Sequence, residues 1–324
     1  MNRRHFVQGA VALAASTSLA APPAAPEVVY RQLGKTGEKV SAIGVGGFHL
    51  SIPTEPEALQ IVRAALDGGL NFLDNCWDYA DGKSEVRMGK ALKDGYRNKA
   101  FLMTKVDGRN AKSAMAQLEQ SLTRLQTDRI DLIQMHEIIR PNDPDLIFAA
   151  GGAMEALVKA QKAGKVRFIG FTGHKSPAIH KKMLEVAKAN NFRFDAVQLP
   201  LNVMDAHHDS FEKEVLPMLV KEQIGVLGMK AMGGPFILES NTATPVECLK
   251  YAMSLPVSVT ITGIDSMKIL DQALSLARGF KPMSAAEKTA ILAKTKAASA
   301  KGEFERYKST IHFDGTTRNP AWLG

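Results

Sequence analysis

Four side chains of this sequence could together carry out proton chemistry on a polarised oxygen: Asp74, Tyr79, Lys105 and His136. A tyrosine gives up its proton near pH 10, so it is a poor acid at neutral pH unless its phenolate is stabilised. A lysine ammonium beside it favours the phenolate and lowers that pKa, and an aspartate paired with the lysine holds it in place. A histidine can donate a hydrogen bond that orients a substrate oxygen. The set suits reduction of a carbonyl, where negative charge develops on oxygen as hydride reaches carbon. None of the four supplies hydride, so that chemistry calls for a nicotinamide cofactor. Acid–base chemistry without net redox, such as isomerisation or dehydration, would use the same Tyr79 and His136.

The four are far apart in the chain, and what unites them is where they stand in its elements. Asn71 to Cys76, Phe101 to Val106 and Arg129 to His136 are short apolar runs that read as buried parallel strands, each reaching an ionisable residue at or just past its end. Counting on from a first strand over Val40 to Gly46, further strands are expected to end near Phe171, Leu199, Met229 and Ile261. Helical periods lie between them, over Pro56 to Leu66, Ser84 to Leu92 with Ser84 as cap, Ala111 to Leu125, Ala153 to Ala163, Ser176 to Asn190, Phe211 to Glu222, Pro245 to Leu255 and Ser266 to Arg278. Eight βα units in sequence predict an α/β fold, a (β/α)8 TIM barrel with its site at the C-terminal face, where the ends of strands two, three and four are neighbours. The barrel domain is expected over residues 27–283, opening with a hairpin around Lys35-Thr36-Gly37-Glu38, and a C-terminal helical extension over residues 284–324 is expected to pack on it.

The 324 residues are 45% apolar and 23% charged, an ordinary globular composition. The net charge of +8 comes without any run of Lys and Arg interleaved with aromatics, which argues against a nucleic-acid partner. Residues 1–26 differ in kind: Arg3-Arg4-His5-Phe6-Val7, an alanine-rich apolar stretch, then Pro22-Pro23-Ala24-Ala25-Pro26. This pattern predicts a twin-arginine-type export signal and linker, hence a periplasmic protein, and the apolar stretch is too short for a stable membrane span. Cys76 and Cys248 are the only cysteines, far apart in sequence, which predicts no disulfide framework; without a CxxC or Cys/His motif, no metal centre is expected.

With these residues in view, the chain from about Val28 to the last barrel helix resembles the aldo-keto reductase superfamily. The resemblance is carried by Asp74 and Tyr79 at their five-residue spacing, by the strand-ending Lys105, by His136 after Asp131-Leu132, and by Tyr30-Arg31-Gln32-Leu33-Gly34-Lys35-Thr36-Gly37 with Gly44-Val45-Gly46-Gly47. It implies NAD(P)H-dependent reduction of an aldehyde or ketone to an alcohol. In that reaction Tyr79 would be the general acid, tuned by Lys105 and Asp74, and His136 would orient the carbonyl. It also implies a cofactor cradle at the later strand ends: Thr172 and Gly173 where the family has a Ser-Asn pair, Gln198 on the nicotinamide amide, Met229 where an aromatic stacks, and Lys230, Gly263, Asp265, Ser266 and Lys268 along the rest of the dinucleotide. Gly173 lacks the asparagine side chain, and His174 is either its substitute or a solvated loop residue. Asp265 stands near the position that commonly neutralises the 2′-phosphate and would favour NAD, whereas the family favours NADP. Phe48, Cys76 and Trp77 are expected to line the pocket for a small-molecule carbonyl substrate. Gly173 and Asp265 also keep open a sensor or partner subunit that binds dinucleotide with little or no turnover.

Overall fold

The computed structural model describes residues 27–324, so the export signal expected over residues 1–26 lies outside the described residues. A hairpin of β1 (Tyr30–Gln32) and β2 (Lys39–Ser41) comes first. Eight parallel strands then close into one barrel: β3 (Ile43–Gly46), β4 (Phe72–Asp74), β5 (Phe101–Val106), β6 (Ile130–Met135), β7 (Val166–Thr172), β8 (Ala196–Pro200), β9 (Gly225–Met229) and β10 (Val259–Gly263), with β10 pairing both β9 and β3. Around and between them run α1 (Glu55–Asp67), α2 (Lys83–Ala91), α3 (Ala111–Leu125), α4 (Asp143–Phe148), α5 (Ala153–Lys162), α6 (Pro177–Ala189), α7 (Phe211–Glu214), α8 (Leu216–Glu222), α9 (Phe236–Glu239), α10 (Pro245–Met253) and α11 (Met267–Ala277). The extension contributes α12 (Ala285–Ser299), α13 (Arg306–Ser309) and α14 (Gly315–Arg318). Among the described residues no helix is long and apolar enough to cross a membrane.

Side-chain alternation along the strands decides what fills the barrel. Phe72, Phe101, Met103, Leu132, Ala196, Leu227, Val259 and Ile261 form a buried inner cluster, with Leu33 and Val40 of the hairpin region joined to it. Phe72 stacks on Phe101 at 5.3 Å between ring centroids, and Phe101 on Phe168 at 6.3 Å. Small residues make room for this layer. A Cβ on Gly44 would meet the Phe72 ring at 2.9 Å, and one on Gly225 would meet Leu33 at 2.6 Å. Leu33 therefore plugs the end of the barrel at which β9 starts. Asp74 lies two residues beyond Phe72, Lys105 two beyond Met103, Thr172 four beyond Phe168 and Gln198 two beyond Ala196. The polar layer at the barrel mouth is thus the continuation of the same inward-facing columns.

Two local expectations are corrected. Ser84 does not cap α2: Gly82 holds the N-cap position with φ +82°, and the Ser84 hydroxyl instead donates to Gly47 O at 2.6 Å. The helix expected over Phe211 to Glu222 is two helices that part at Val215, because Pro217 has no amide to continue the earlier turn. The extension packs on the barrel through α12 and also crosses its mouth. Glu137, after β6, accepts from the amides of Gly315 and Thr316 at 2.8 and 2.7 Å. Arg109 N donates to Leu323 O at 2.8 Å, and Gln117 Nε2 to Trp322 O at 2.8 Å.

Candidate active site

The C-terminal ends of β4 and β5 bring three of the four candidate residues into bonding distance. Lys105 Nζ is in a short contact with Asp74 Oδ1, donates to Asn75 O at 2.8 Å and lies 3.1 Å from the Tyr79 hydroxyl. Lys105 is 1% exposed and Asp74 3%. Burying an ammonium and a carboxylate costs several kcal/mol each unless both are fully partnered. Here the second oxygen of Asp74 accepts from Gln198 Nε2 at 3.0 Å. Gln198 therefore presents its amide nitrogen to the carboxylate, which leaves Oε1 free; that atom is buried without a hydrogen-bond partner, as is Thr172 Oγ1 on the paired position of β7.

Tyr79 comes from the turn after β4 and is half-buried, with the ring of Phe48 edge-on to it at 5.5 Å. The expectation that Lys105 would lower its pKa does not hold here. Burial, followed by the negative field of Asp74, Asp78 and Glu137, pushes the phenol well above its ordinary value of 10. The ammonium at 3.1 Å is already shared with Asp74.

His136, just past β6, is 8% exposed, and its ring centroid lies 6.0 Å from that of Tyr79. Its Nδ1 is 2.9 Å from Asp107 Oδ1, 3.2 Å from Cys76 Sγ and 3.7 Å from Asp78 Oδ1. Burial lowers its pKa, but the Asp78 and Asp107 carboxylates outweigh that, and the net direction is up from 6.5. Atoms of Cys76, Asp78, Asp107 and His136 all lie within 4.8 Å of one another, the one grouping of metal-binding residue types among the described residues. It is a spatial group rather than a sequence motif, so motif spacing could not reveal it. The 2.9 Å contact is a hydrogen bond and is shorter than the roughly 3.3 Å ligand separation of a tetrahedral zinc site.

The remaining candidates distribute around the mouth. Cys76 is wholly buried behind His136 and lines no open pocket, which corrects that expectation. Trp77 is partly open; its Nε1 donates to Gln120 Oε1 at 2.7 Å and its ring meets Trp322 edge-on at 5.7 Å. Phe48 is 54% exposed. A Cβ on Gly173 would run into the Ile138 carbonyl oxygen, so no side chain fits where the family has asparagine. His174 is not a solvated loop residue: it is buried, its Nε2 lies 3.0 Å from Asp314 Oδ1, and burial lowers its pKa. Lys230, at φ +55°, holds its ammonium 4.0 Å over the Phe313 ring, and burial lowers its pKa to about 8. Met229 is partly buried at the end of β9. Gly263 ends β10 against the His49 ring, Asp265 is partly buried, Ser266 caps α11 by accepting from Ile269 N, and Lys268 is exposed. Sequence reasoning missed Asp107, Asp78 and Glu137. Asp107, two residues past Lys105, carried a signal that could have been read, since it too closes an apolar strand.

The chain is similar to known proteins over most of its length. The family model described as "Aldo/keto reductase family" matches residues 42–248. The uncharacterized oxidoreductase YrpG of Bacillus subtilis (strain 168) is 31% identical over 240 residues, 66% of this chain and 71% of its own. The aldo-keto reductase YhdN of the same organism is 30% identical over 218 residues, 61% of this chain and 60% of its own. A holo-form aldo-keto reductase from Bacillus halodurans superposes over 86% of this chain and 100% of its own with a TM-score of 0.71; at 22% identity the likeness is one of fold.

Proposed function

Since the chain belongs to the aldo/keto reductase family and is by that kinship an oxidoreductase, we propose that it reduces a small aldehyde or ketone to an alcohol with NAD(P)H. The observation that carries this reading is the buried ammonium of Lys105, held by Asp74 and Asn75 and aimed at the Tyr79 hydroxyl at 3.1 Å.

The residues fit a nicotinamide cofactor. Gln198 Oε1 and Thr172 Oγ1 are buried and unpartnered at the mouth, and a carboxamide NH2 supplies the two donors they lack. Met229 would cover the ring, and Lys230, Gly263, Ser266 and Lys268 would serve the phosphates, with the N-terminus of α11 as an anion site. NADP is the proposed cofactor; Asp265 is the one residue that argues for NAD. When bound, the cofactor supplies the hydride. Tyr79 then gives its proton to the substrate oxygen, and the phenolate left behind lies against Lys105. Asp74, fixed by Gln198, keeps that ammonium from swinging away. His136 orients the carbonyl, while Phe48 and Trp77 form apolar walls at the entrance.

The test mixes purified protein with NADPH or NADH and a panel of aldehydes and ketones and follows cofactor absorbance. Turnover is expected with at least one carbonyl. In Tyr79→Phe it should fall by about 10²–10⁴-fold, the usual contribution of a general acid, with dinucleotide binding retained. A wild-type protein that binds dinucleotide and consumes none sinks the proposal in favour of a sensor. We also propose that the chain is organised as leader, barrel and extension and is exported to the periplasm as a folded protein, which would let it be loaded with cofactor beforehand.

A further inference from the structure

We propose that Asp107 is a positioning residue for His136, holding its Nδ1 proton so that the ring faces substrate as an imidazolium through Nε2; this rests on the carbonyl-reductase reading of the site. Asp107 is wholly buried just beyond β5, and its backbone is held on several sides. Gln117 Oε1 accepts from the amides of Asp107 and Gly108, both at 2.8 Å. Arg109 donates to Asp107 O and to Glu137 O, each at 2.7 Å, and its Nε to Asp143 at 3.0 Å. One guanidinium thus ties the loop after β5 to the loop after β6. The separation of Asp107 from His136 is set by the frame and not by the pair alone.

The contact itself decides the tautomer. At 2.9 Å between Nδ1 and Asp107 Oδ1, a bare Nδ1 would turn its lone pair on a carboxylate oxygen. Nδ1 therefore carries a proton. In a neutral ring that leaves Nε2 bare, an acceptor with nothing to give a carbonyl oxygen. Only the doubly protonated ring both satisfies Asp107 and donates to substrate.

The groups facing His136 favour that charge. From the loop after β4, Asp78 Oδ1 lies 3.7 Å from Nδ1 and has no hydrogen-bond partner, and Cys76 Sγ lies at 3.2 Å. From just beyond β5 the facing group is Asp107, while the ammonium of Lys105 is paired with Asp74. Glu137 follows in the chain, its carboxylate taken up by Gly315 and Thr316, and the Lys230 ammonium acts on Glu137 from beyond β9. The net direction for His136 is upward despite burial, through Asp78 and Asp107. During reduction, hydride adds to the carbonyl carbon, the C=O π pair takes the Tyr79 proton, and His136 keeps both of its own. Its positive charge also opposes the carboxylate field that hinders Tyr79 from ionising.

The test is ¹⁵N NMR of the histidine side chains in the full-length protein, wild type and Asp107→Asn, together with pH profiles of kcat/KM. A raised pKa means the imidazolium is present at low pH and lost as pH rises through it. In wild type, His136 should be charged at neutral pH, and kcat/KM should fall as it deprotonates. In Asp107→Asn that fall should move to lower pH by about one unit or more, the usual effect of an opposite charge at this range. An equal loss of activity at every pH, with His136 unchanged in spectrum, would mark Asp107 as merely structural and overturn the proposal. Should the variant fail to fold, the wild-type spectrum still decides, because a neutral His136 or a bare Nδ1 at pH 7 is fatal. So is stoichiometric zinc in the wild type that is lost in Cys76→Ser, since metal would then hold Nδ1. The NMR readout needs no turnover, so a charged, Asp107-dependent His136 in a protein that reduces nothing would refute the activity and leave this inference standing.

Discussion

A lysine ammonium buried to 1% exposure persists only where every proton has a taker, and at Lys105 the takers are Asp74, Asn75 and Tyr79. Lys105 itself and two of these, Asp74 and Tyr79, were legible in the sequence, because a polar residue at or just past the end of an apolar strand stands out from its surroundings. Asp107 and Asp78 were less legible, since aspartate past a strand end is ordinary and its partner, His136, is remote in sequence. Gly173 shows the opposite case, a residue that reads as a defect until its surroundings are known. Its position has room for hydrogen only, with the Ile138 carbonyl oxygen where a Cβ would go. Restoring the family residue with Gly173→Asn should therefore lower stability, by about 1–3 kcal/mol as for other overpacked sites, and leave cofactor affinity unimproved. Chemical denaturation and dinucleotide titration check this; a variant that binds dinucleotide more tightly at undiminished stability would contradict it.

At the scale of elements, the strands were read most securely. Their apolar runs are continuous because helices cover the outside and core fills the inside of a parallel barrel, and β5 over Phe101–Val106 matches the expected bounds. Helix ends were harder where a tertiary contact outbid a local one, as at Ser84, whose hydroxyl serves Gly47 across the barrel rim. One packing arrangement between elements has a pH consequence. His180 of α6 sits wholly buried between Phe171 of β7 and Phe211 of α7, with ring centroids at 5.1 and 4.9 Å, and its Nε2 meets Gln198 O at 3.4 Å. Burial lowers its pKa to about 4. The unfolded chain takes up a proton as pH falls through about 6.5 while the native one does not, so stability drains away between those two values, by about 3 kcal/mol from this group alone. The thermal midpoint of wild type should fall across that window more steeply than that of His180→Asn. Parallel curves for the two proteins would assign the acid sensitivity elsewhere.

For the whole molecule, the extension returns from α12 to lie over the barrel mouth. It meets the loops after β4, β6 and β7: Trp322 on Trp77, Gly315 and Thr316 on Glu137, and Asp314 on His174. Export concerns the chain as a unit as well. If the leader is of the twin-arginine type, replacing Arg3 and Arg4 together with lysine in the full-length chain should leave the protein in the cytoplasmic fraction, whereas wild type reaches the periplasm. Equal distribution of the two on cell fractionation would refute the localisation. By itself the sequence determined the barrel and the order of its strands, and it singled out Asp74, Tyr79, Lys105 and His136 as candidates, because periodicity and strand-end polarity are local properties that survive without coordinates. Only the tertiary structure decided the rest: that Lys105 reaches the Tyr79 hydroxyl, that Cys76 is wholly buried against His136, that Gly173 admits no side chain, and that Asp107 Oδ1 lies 2.9 Å from His136 Nδ1. Each of these depends on distances between residues remote along the chain, and on the burial that makes such distances costly or favourable.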